Sequence, residues 1–141
     1  MSETDQPKRL SMANEDYLEA IWRIMLDRGD DSVRSVDVAE LLGVSKASVN
    51  KALSTLKDTG YAEQNRYGRV ALTDSGRGYA ARVWRCHRAL RAFLTDDLGV
   101  DEATADREAC EMEHALSEDT MDRLLAYLER EGTIVDGSLD G

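Results

Sequence analysis

The chain has 141 residues, of which 42% are hydrophobic and one is proline, which favours one domain or two small ones built mostly from helices. No apolar run approaches the roughly 18 residues of a membrane span, and no signal-peptide segment follows Met1, so we expect a cytoplasmic protein without a membrane partner. The two cysteines lack CxxC spacing, which argues against a disulfide framework and against a zinc ribbon.

The formal net charge of −10 is unevenly distributed along the chain. Residues 33–82 hold eight Lys or Arg against five Asp or Glu, a balance of +3, so the rest of the chain carries −13. The middle segment is therefore the part that can approach a polyanion. The acidic remainder is consistent with a protein from a halophile, kept hydrated by exposed acids in concentrated salt, and also with an ordinary acidic protein.

A first helix is predicted over Ser11–Asp27, because apolar residues recur there at helical spacing and Gly29 follows. Asp16 and Glu19 lie three residues apart on this helix, beside its apolar stripe. Taken alone, a pair of acids in this position is typical of a solvated helix face.

Two short helices joined by a tight turn follow. Ser35 is predicted to cap Val36–Leu42, which stops at Gly43, and Ser45 is predicted to cap Lys46–Asp58. A turn glycine between two such helices, with small and aliphatic residues at the buried positions, is typical of a helix-turn-helix.

Two strands, Tyr61–Gln64 and Arg69–Leu72, are predicted next, and a hairpin in this place is the wing of a winged helix-turn-helix. The second helix and the wing carry side chains suited to phosphates or base edges. Double-stranded DNA is therefore the favoured partner, and protein contacts are the alternative. The predicted DNA-contacting residues are Ser35, Ser45, Lys46, Ser48, Asn50, Lys51, Arg66 and Arg69.

The rest of the chain is predicted to be helical. One long helix opens at Thr73–Gly76 and runs to about Leu98, a second begins at Asp101, and Ser117 caps a third over Glu118–Arg130. The fold class is therefore mostly α. The predicted boundaries are a winged helix-turn-helix domain over 1–75, a helical domain over 76–132 and a flexible tail over 133–141.

The most concentrated set of metal-ligating side chains lies on the second of these helices. Cys110, Glu113 and His114 stand at i, i+3 and i+4, so they share one helix face. A thiol, a carboxylate and an imidazole can all ligate a metal ion, but three ligands on one helix leave the ion open to solvent. We therefore expect further ligands elsewhere. His87, on the long helix, is by itself typical of an ordinary core or surface histidine.

Two other classes of function fit parts of this pattern. Cys110–His114 has the spacing of an inverse zincin, His-x-x-Glu-His, with Cys in place of the first His, so the motif also fits a metallopeptidase. Such an enzyme needs a distal acidic ligand and an open cleft and has no use for a winged helix, so we expect no catalytic residues. A metal-independent winged-helix regulator or scaffold is the stronger alternative.

Five segments occur in the order and at the separations of a known family. They are Asn14–Ile21, Ala39–Ser45, Leu72–Gly76, Cys86–Arg88 and Glu108–Ser117. Together they make the chain resemble, over about residues 10–130, the diphtheria-toxin-repressor and manganese-transport-regulator family of metal-dependent transcriptional regulators. The resemblance is to the short, two-domain manganese-type form, which lacks the SH3-like domain of the longer iron-type members.

The resemblance implies a regulator of metal homeostasis genes whose second domain binds metal and forms a homodimer. The implied regulatory ligand is Mn(II) or Fe(II), bound where the interface between the two domains closes. Metal binding would set the spacing of two recognition helices to that of a palindromic operator. The implied metal ligands are Asp16, Glu19, His87, Cys110, Glu113 and His114.

Four positions depart from the patterns of the two subtypes. Asp16 stands where the iron-type form carries Met, and Cys110 stands where the manganese-type form carries Glu. Arg91 and Asp106 stand where the iron-type ancillary site needs Glu and His, so that site is not carried over. The carboxylate of Asp16 favours Mn(II), whereas a thiolate at Cys110 argues against a pair of hard ions, so the number of ions per subunit stays open.

Overall fold

The computed structural model describes residues 9–132, and the chain divides into two compact units between Ala81 and Arg82. The helix Asp74–Ala92 crosses this division and contributes to both units. The fold is mostly α with one two-stranded sheet, as predicted. No helix in the described range is long and apolar enough to cross a membrane. The predicted tail over 133–141 lies outside the described residues.

The first unit is a winged helix-turn-helix, which confirms the prediction. Ser45 caps its helix as predicted, since its hydroxyl oxygen accepts the N–H of Ser48. Ser11, predicted as the first helical residue, is the cap of the first helix, and its hydroxyl oxygen accepts the N–H of Asn14. The two strands pair antiparallel. The elements are α1 (Met12–Arg28), α2 (Ser35–Leu42), α3 (Lys46–Asp58), β1 (Ala62–Gln64), β2 (Val70–Leu72) and the start of α4 (Asp74–Ala92).

The core of the first unit follows from the apolar stripes of its helices. Leu18 and Ile21 of α1, Val38 of α2, and Val49 and Leu56 of α3 have no exposed surface. Each such side chain contributes roughly 1.5–3 kcal/mol through burial. Because α3 turns its aliphatic side chains inward, the same packing fixes which of its polar side chains face outward.

Helix α2 begins one residue earlier than predicted. Ser35 is its first residue and Arg34 takes the cap position, so the prediction that Ser35 caps the helix is wrong. The carboxylate of Asp37 instead accepts a hydrogen bond from the backbone N–H at the start of this helix, that of Arg34, at 3.4 Å. The same carboxylate accepts a hydrogen bond from Nη1 of Arg28 at 3.0 Å. Burial raises the pKa of Asp37, but the hydrogen bonds and charges of Arg28 and Arg34 outweigh burial and leave the pKa below its ordinary value.

The second unit contains the rest of α4, a π-helical turn over Phe93–Asp97, α5 (Glu102–Ala115) and α6 (Glu118–Arg130). The helix predicted to run to about Leu98 is therefore present, but its last turn is π-helical and not α-helical. The Thr95 hydroxyl donates hydrogen bonds to the carbonyls of Arg91 at 3.0 Å and Ala92 at 3.4 Å. Such a side-chain bond competes with the regular helical ladder.

The core of the second unit places α5 close to its neighbours. Ala105 and Ala109 have no exposed surface and lie in one cluster with Ala89 and Leu90 of α4. Small residues at these positions allow the helices to approach closely, and this packing sets which side chains of α5 and α4 can meet.

Candidate metal centre and nucleic-acid interface

Helix α5 brings its three predicted ligands together. Cys110, Glu113 and His114 are all partly buried. Nδ1 of His114 lies 3.1 Å from Oε1 of Glu113 and 3.4 Å from the backbone oxygen of Cys110. The cluster therefore presents a carboxylate, an imidazole and a thiol along one side of the helix.

His87 of α4 joins this cluster. Its Nδ1 lies 3.5 Å from Sγ of Cys110, and its Nε2 lies 2.8 Å from Oδ1 of Asp106. The Trp84 ring stacks on the imidazole with centroids 6.3 Å apart and an interplanar angle of 21°. The histidine that appeared ordinary in the sequence is thus held at both nitrogens and on one ring face, beside the ligands of α5.

These distances fit a divalent metal ion. Ligand atoms that lie about 2.0–2.3 Å from one ion stand roughly 3–4 Å apart. The Cys110–His87 pair at 3.5 Å and the Glu113–His114 pair at 3.1 Å both have this separation. Imidazole and carboxylate donors suit Mn(II) or Fe(II), and the cysteine adds one softer donor.

The acidic residues of α1 differ in burial. Glu15 is 2% exposed, and its Oε2 accepts a hydrogen bond of 2.6 Å from the Tyr79 hydroxyl. The N–H of Leu10 in turn donates to the Tyr79 oxygen at 2.8 Å. Burial and the hydrogen bond to Glu15 raise the pKa of Tyr79, which keeps its proton. The predicted ligands on this helix, Asp16 and Glu19, are exposed and half-buried respectively.

Helix α3 presents the predicted DNA-contacting residues at its amino-terminal end. The Ser45 oxygen accepts the N–H of Ser48 at 3.1 Å, which leaves other N–H groups of the first turn and the positive end of the helix dipole facing outward. The exposed side chains of this end are Ser45, Lys46, Ser48, Asn50 and Lys51. These donors and charges suit phosphates and base edges.

The two arginines of the wing differ in exposure and in their contacts. Arg66 is exposed at the tip, with its guanidinium 5.1 Å from the centre of the Tyr67 ring. Arg69 is half-buried, and both its Nε and its Nη2 donate to Ser32, at 2.7 Å each. Arg69 therefore holds the wing to the segment before α2. Ser35 is also half-buried, so six of the eight predicted DNA-contacting residues are exposed.

The two units match the two parts of one protein family. The family model described as the N-terminal DNA binding domain of iron dependent repressors matches residues 9–70. The model described as their metal binding and dimerisation domain matches residues 73–133. The chain belongs to the iron-dependent repressor family. It is a metal-dependent transcriptional regulator with a DNA-binding and a dimerisation domain, and members of the family are regulators, not enzymes.

Individual relatives agree with the family assignment. An uncharacterised HTH-type transcriptional regulator of Methanocaldococcus jannaschii is 32% identical over 121 residues, which are 86% of this chain and 96% of the relative. The transcriptional regulator MntR of Salmonella typhimurium is 35% identical over 84% of this chain and 74% of its own length. A manganese-dependent transcriptional repressor solved with manganese has a TM-score of 0.64 and 33% identity over 84% of this chain. The chain spans about half of that repressor, 51%.

Two residues beside the cluster received no role from sequence reasoning. Asp106 precedes Cys110 by four residues, so helical spacing places it on the ligand side of α5, although the spacing does not reveal its contact with His87. Cys86 is 2% exposed, and burial raises its pKa to about 11. Cys86 therefore remains a protonated thiol in the core, and Cys110 is the cysteine available as a ligand.

Proposed function

We propose that this regulator binds a palindromic DNA operator as a homodimer when it holds Mn(II), with Fe(II) as the second candidate. The observation that carries the proposal is the position of His87, whose Nδ1 lies 3.5 Å from Sγ of Cys110. His87 adds a donor from a second helix, α4, which the three ligands on α5 alone do not provide. Manganese is favoured because Asp16 offers a hard carboxylate and because a manganese-dependent repressor is 33% identical.

The proposed ligand set couples metal to the DNA-binding unit. A bound ion supplies a divalent charge that carboxylate and imidazole donors share. Two of the proposed ligands belong to the first unit and four to the second, so a full set forms only when both units contribute. An ion that favours one arrangement shifts the population toward it. The proposed ligands are Asp16, Glu19, His87, Cys110, Glu113 and His114.

The proposed DNA contacts divide into base-reading and positioning residues. We assign the amino-terminal turn of α3, with Lys46, Asn50 and Lys51, to the major groove and Arg66 at the wing tip to the phosphate backbone. Because its target is chromosomal DNA, we place the protein in the cytoplasm. Its targets in this proposal are genes of metal homeostasis.

Chelation tests the proposal directly. A duplex recovered from a random pool by selection is titrated with the protein in EDTA, then with Mn(II), Fe(II) without oxygen, or Zn(II). We expect Mn(II) to tighten binding by roughly 10- to 100-fold over EDTA, as a coupling of 1–3 kcal/mol allows. Equal affinity in EDTA and in Mn(II) would reject the metal switch and favour a metal-independent winged-helix regulator.

The Lys51→Ala variant separates DNA contact from metal sensing. Lys51 is exposed on α3, so its loss should weaken DNA binding by a similar factor at every metal concentration. It should also reduce the salt slope of binding by about 1, the signature of one lost phosphate contact. Lys57→Ala is the matched control, because Lys57 lies at the other end of α3 and donates to Gln64 at 2.9 Å. An equal loss in both variants would contradict the assignment of Lys51.

A further inference from the structure

Asp106 contacts a proposed metal ligand without belonging to the proposed ligand set. Its Oδ1 lies 2.8 Å from Nε2 of His87 and 3.8 Å from Nη1 of Arg91. The His87 side chain is 12% exposed, whereas that of Asp106 is 58% exposed. The carboxylate thus reaches from the surface onto the ring nitrogen that does not face Cys110.

This contact determines which nitrogen of His87 carries the proton. A neutral imidazole has one N–H donor and one lone pair, whereas a carboxylate only accepts hydrogen bonds. The 2.8 Å contact therefore places the N–H on Nε2 and leaves the lone pair on Nδ1. Nδ1 is the atom that lies 3.5 Å from Sγ of Cys110, where a metal ligand must offer a lone pair.

The same arrangement discourages a second ion on the other side of the ring. Nε2 of His87 is already committed to Asp106, and the Asp106 carboxylate already has the guanidinium of Arg91 at 3.8 Å. A fixed positive charge at this position repels a further cation. His87 therefore offers one nitrogen to metal and cannot bridge two ions.

We propose that Asp106 is a positioning residue that presents Nδ1 of His87 to the Cys110 side and withholds Nε2 from metal. The inference deepens the proposed function and rests on it, because His87 acts here as a ligand of that site. Carboxylates that hold metal-bound histidines in this way are typical of metal centres.

Metal titration of the full chain tests the proposal. Free Mn(II) is followed by electron paramagnetic resonance, which gives the affinity of each variant. Asp106→Ala should weaken Mn(II) binding by about 10- to 100-fold, whereas Asp106→Asn, whose amide oxygen still accepts from Nε2, should retain most of the affinity. Unchanged Mn(II) affinity in Asp106→Ala would overturn the proposal.

Asp122→Ala is the matched control for Asp106→Ala. Asp122 is 61% exposed and pairs with Arg82 of α4 at 2.9 Å, and no histidine is among its partners in the described part of the chain. Its loss should leave Mn(II) affinity unchanged. If Asp106→Ala and Asp122→Ala bind Mn(II) equally well, Asp106 has no positioning role.

The ring protonation of His87 gives a readout that does not depend on bound metal. In ¹⁵N spectra of metal-free protein, wild type and Asp106→Asn should show the N–H on Nε2, and Asp106→Ala should show a mixture. An N–H on Nδ1 in wild type contradicts the positioning role alone. If wild-type protein shows the N–H on Nε2 but binds DNA equally well with and without Mn(II), the proposed function is contradicted and the positioning role is not.

Discussion

The His114→Ala variant is expected to lose the metal dependence of DNA binding, so that its affinity in Mn(II) equals its affinity in EDTA. The chain has two histidines, and Nδ1 of His114 lies 3.1 Å from Oε1 of Glu113, at the centre of the α5 cluster. Removing a residue that only hydrogen-bonds a metal ligand lowers metal affinity by about 10- to 100-fold. Removing a ligand itself should therefore lower metal affinity by more than about 100-fold. Asp16→Ala, in the other unit, should have the same effect.

Glu111→Ala is the matched control for the His114 substitution. Glu111 lies on the same helix and is exposed, so its removal changes the charge of α5 without removing a proposed ligand. Mn(II) titrations and DNA binding should be unchanged in this variant. The Asp16, Glu111 and His114 variants should all remain folded by circular dichroism, because none of these side chains belongs to either hydrophobic core. A His114→Ala protein that still responds to Mn(II) would remove His114 from the ligand set.

Features that depend on neighbours in the sequence could be predicted well. The helix-turn-helix was predictable because Ser45 caps α3 locally and because Val49, Leu53 and Leu56 recur at helical spacing on its buried side. The face shared by Cys110, Glu113 and His114 likewise follows from helical geometry alone. Membership of the family was predictable because five short segments occur in the right order.

Features that depend on distant residues could not be predicted. His87 and Asp106 are 19 residues apart, and no periodicity within either helix indicates that their side chains meet. Arg69 was predicted to contact DNA because it lies in the wing, and its contact with Ser32, 37 residues away, could not be foreseen from the sequence. In both cases the packing of separate elements determines which partner the side chain contacts, and sequence periodicity does not reveal that packing.

The Gly76→Ala variant is expected to destabilise the first unit by about 3 kcal/mol, a cost at the upper end for overpacking. A Cβ at Gly76 would overlap the carbonyl oxygen of Tyr61 and lie 2.9 Å from its carbonyl carbon. Neither backbone is free to retreat, because the Tyr61 oxygen accepts the N–H of Thr73 at 3.0 Å. The Thr73 hydroxyl oxygen in turn accepts the N–H of Gly76 at 3.1 Å. Urea unfolding followed by circular dichroism measures the loss.

Gly78→Ala provides the opposite result two residues further along α4. A Cβ at Gly78 meets no atom within 4 Å, so alanine there should stabilise the protein by about 0.5–1 kcal/mol through its higher helix propensity. The contrast between the two variants isolates the close approach of α4 to Tyr61 from any general effect of glycine in a helix. If both variants are stabilised, α4 does not dock against the start of the wing as closely as the structure places it. If Gly76→Ala alone also weakens DNA binding, this docking holds the wing in the position that DNA requires.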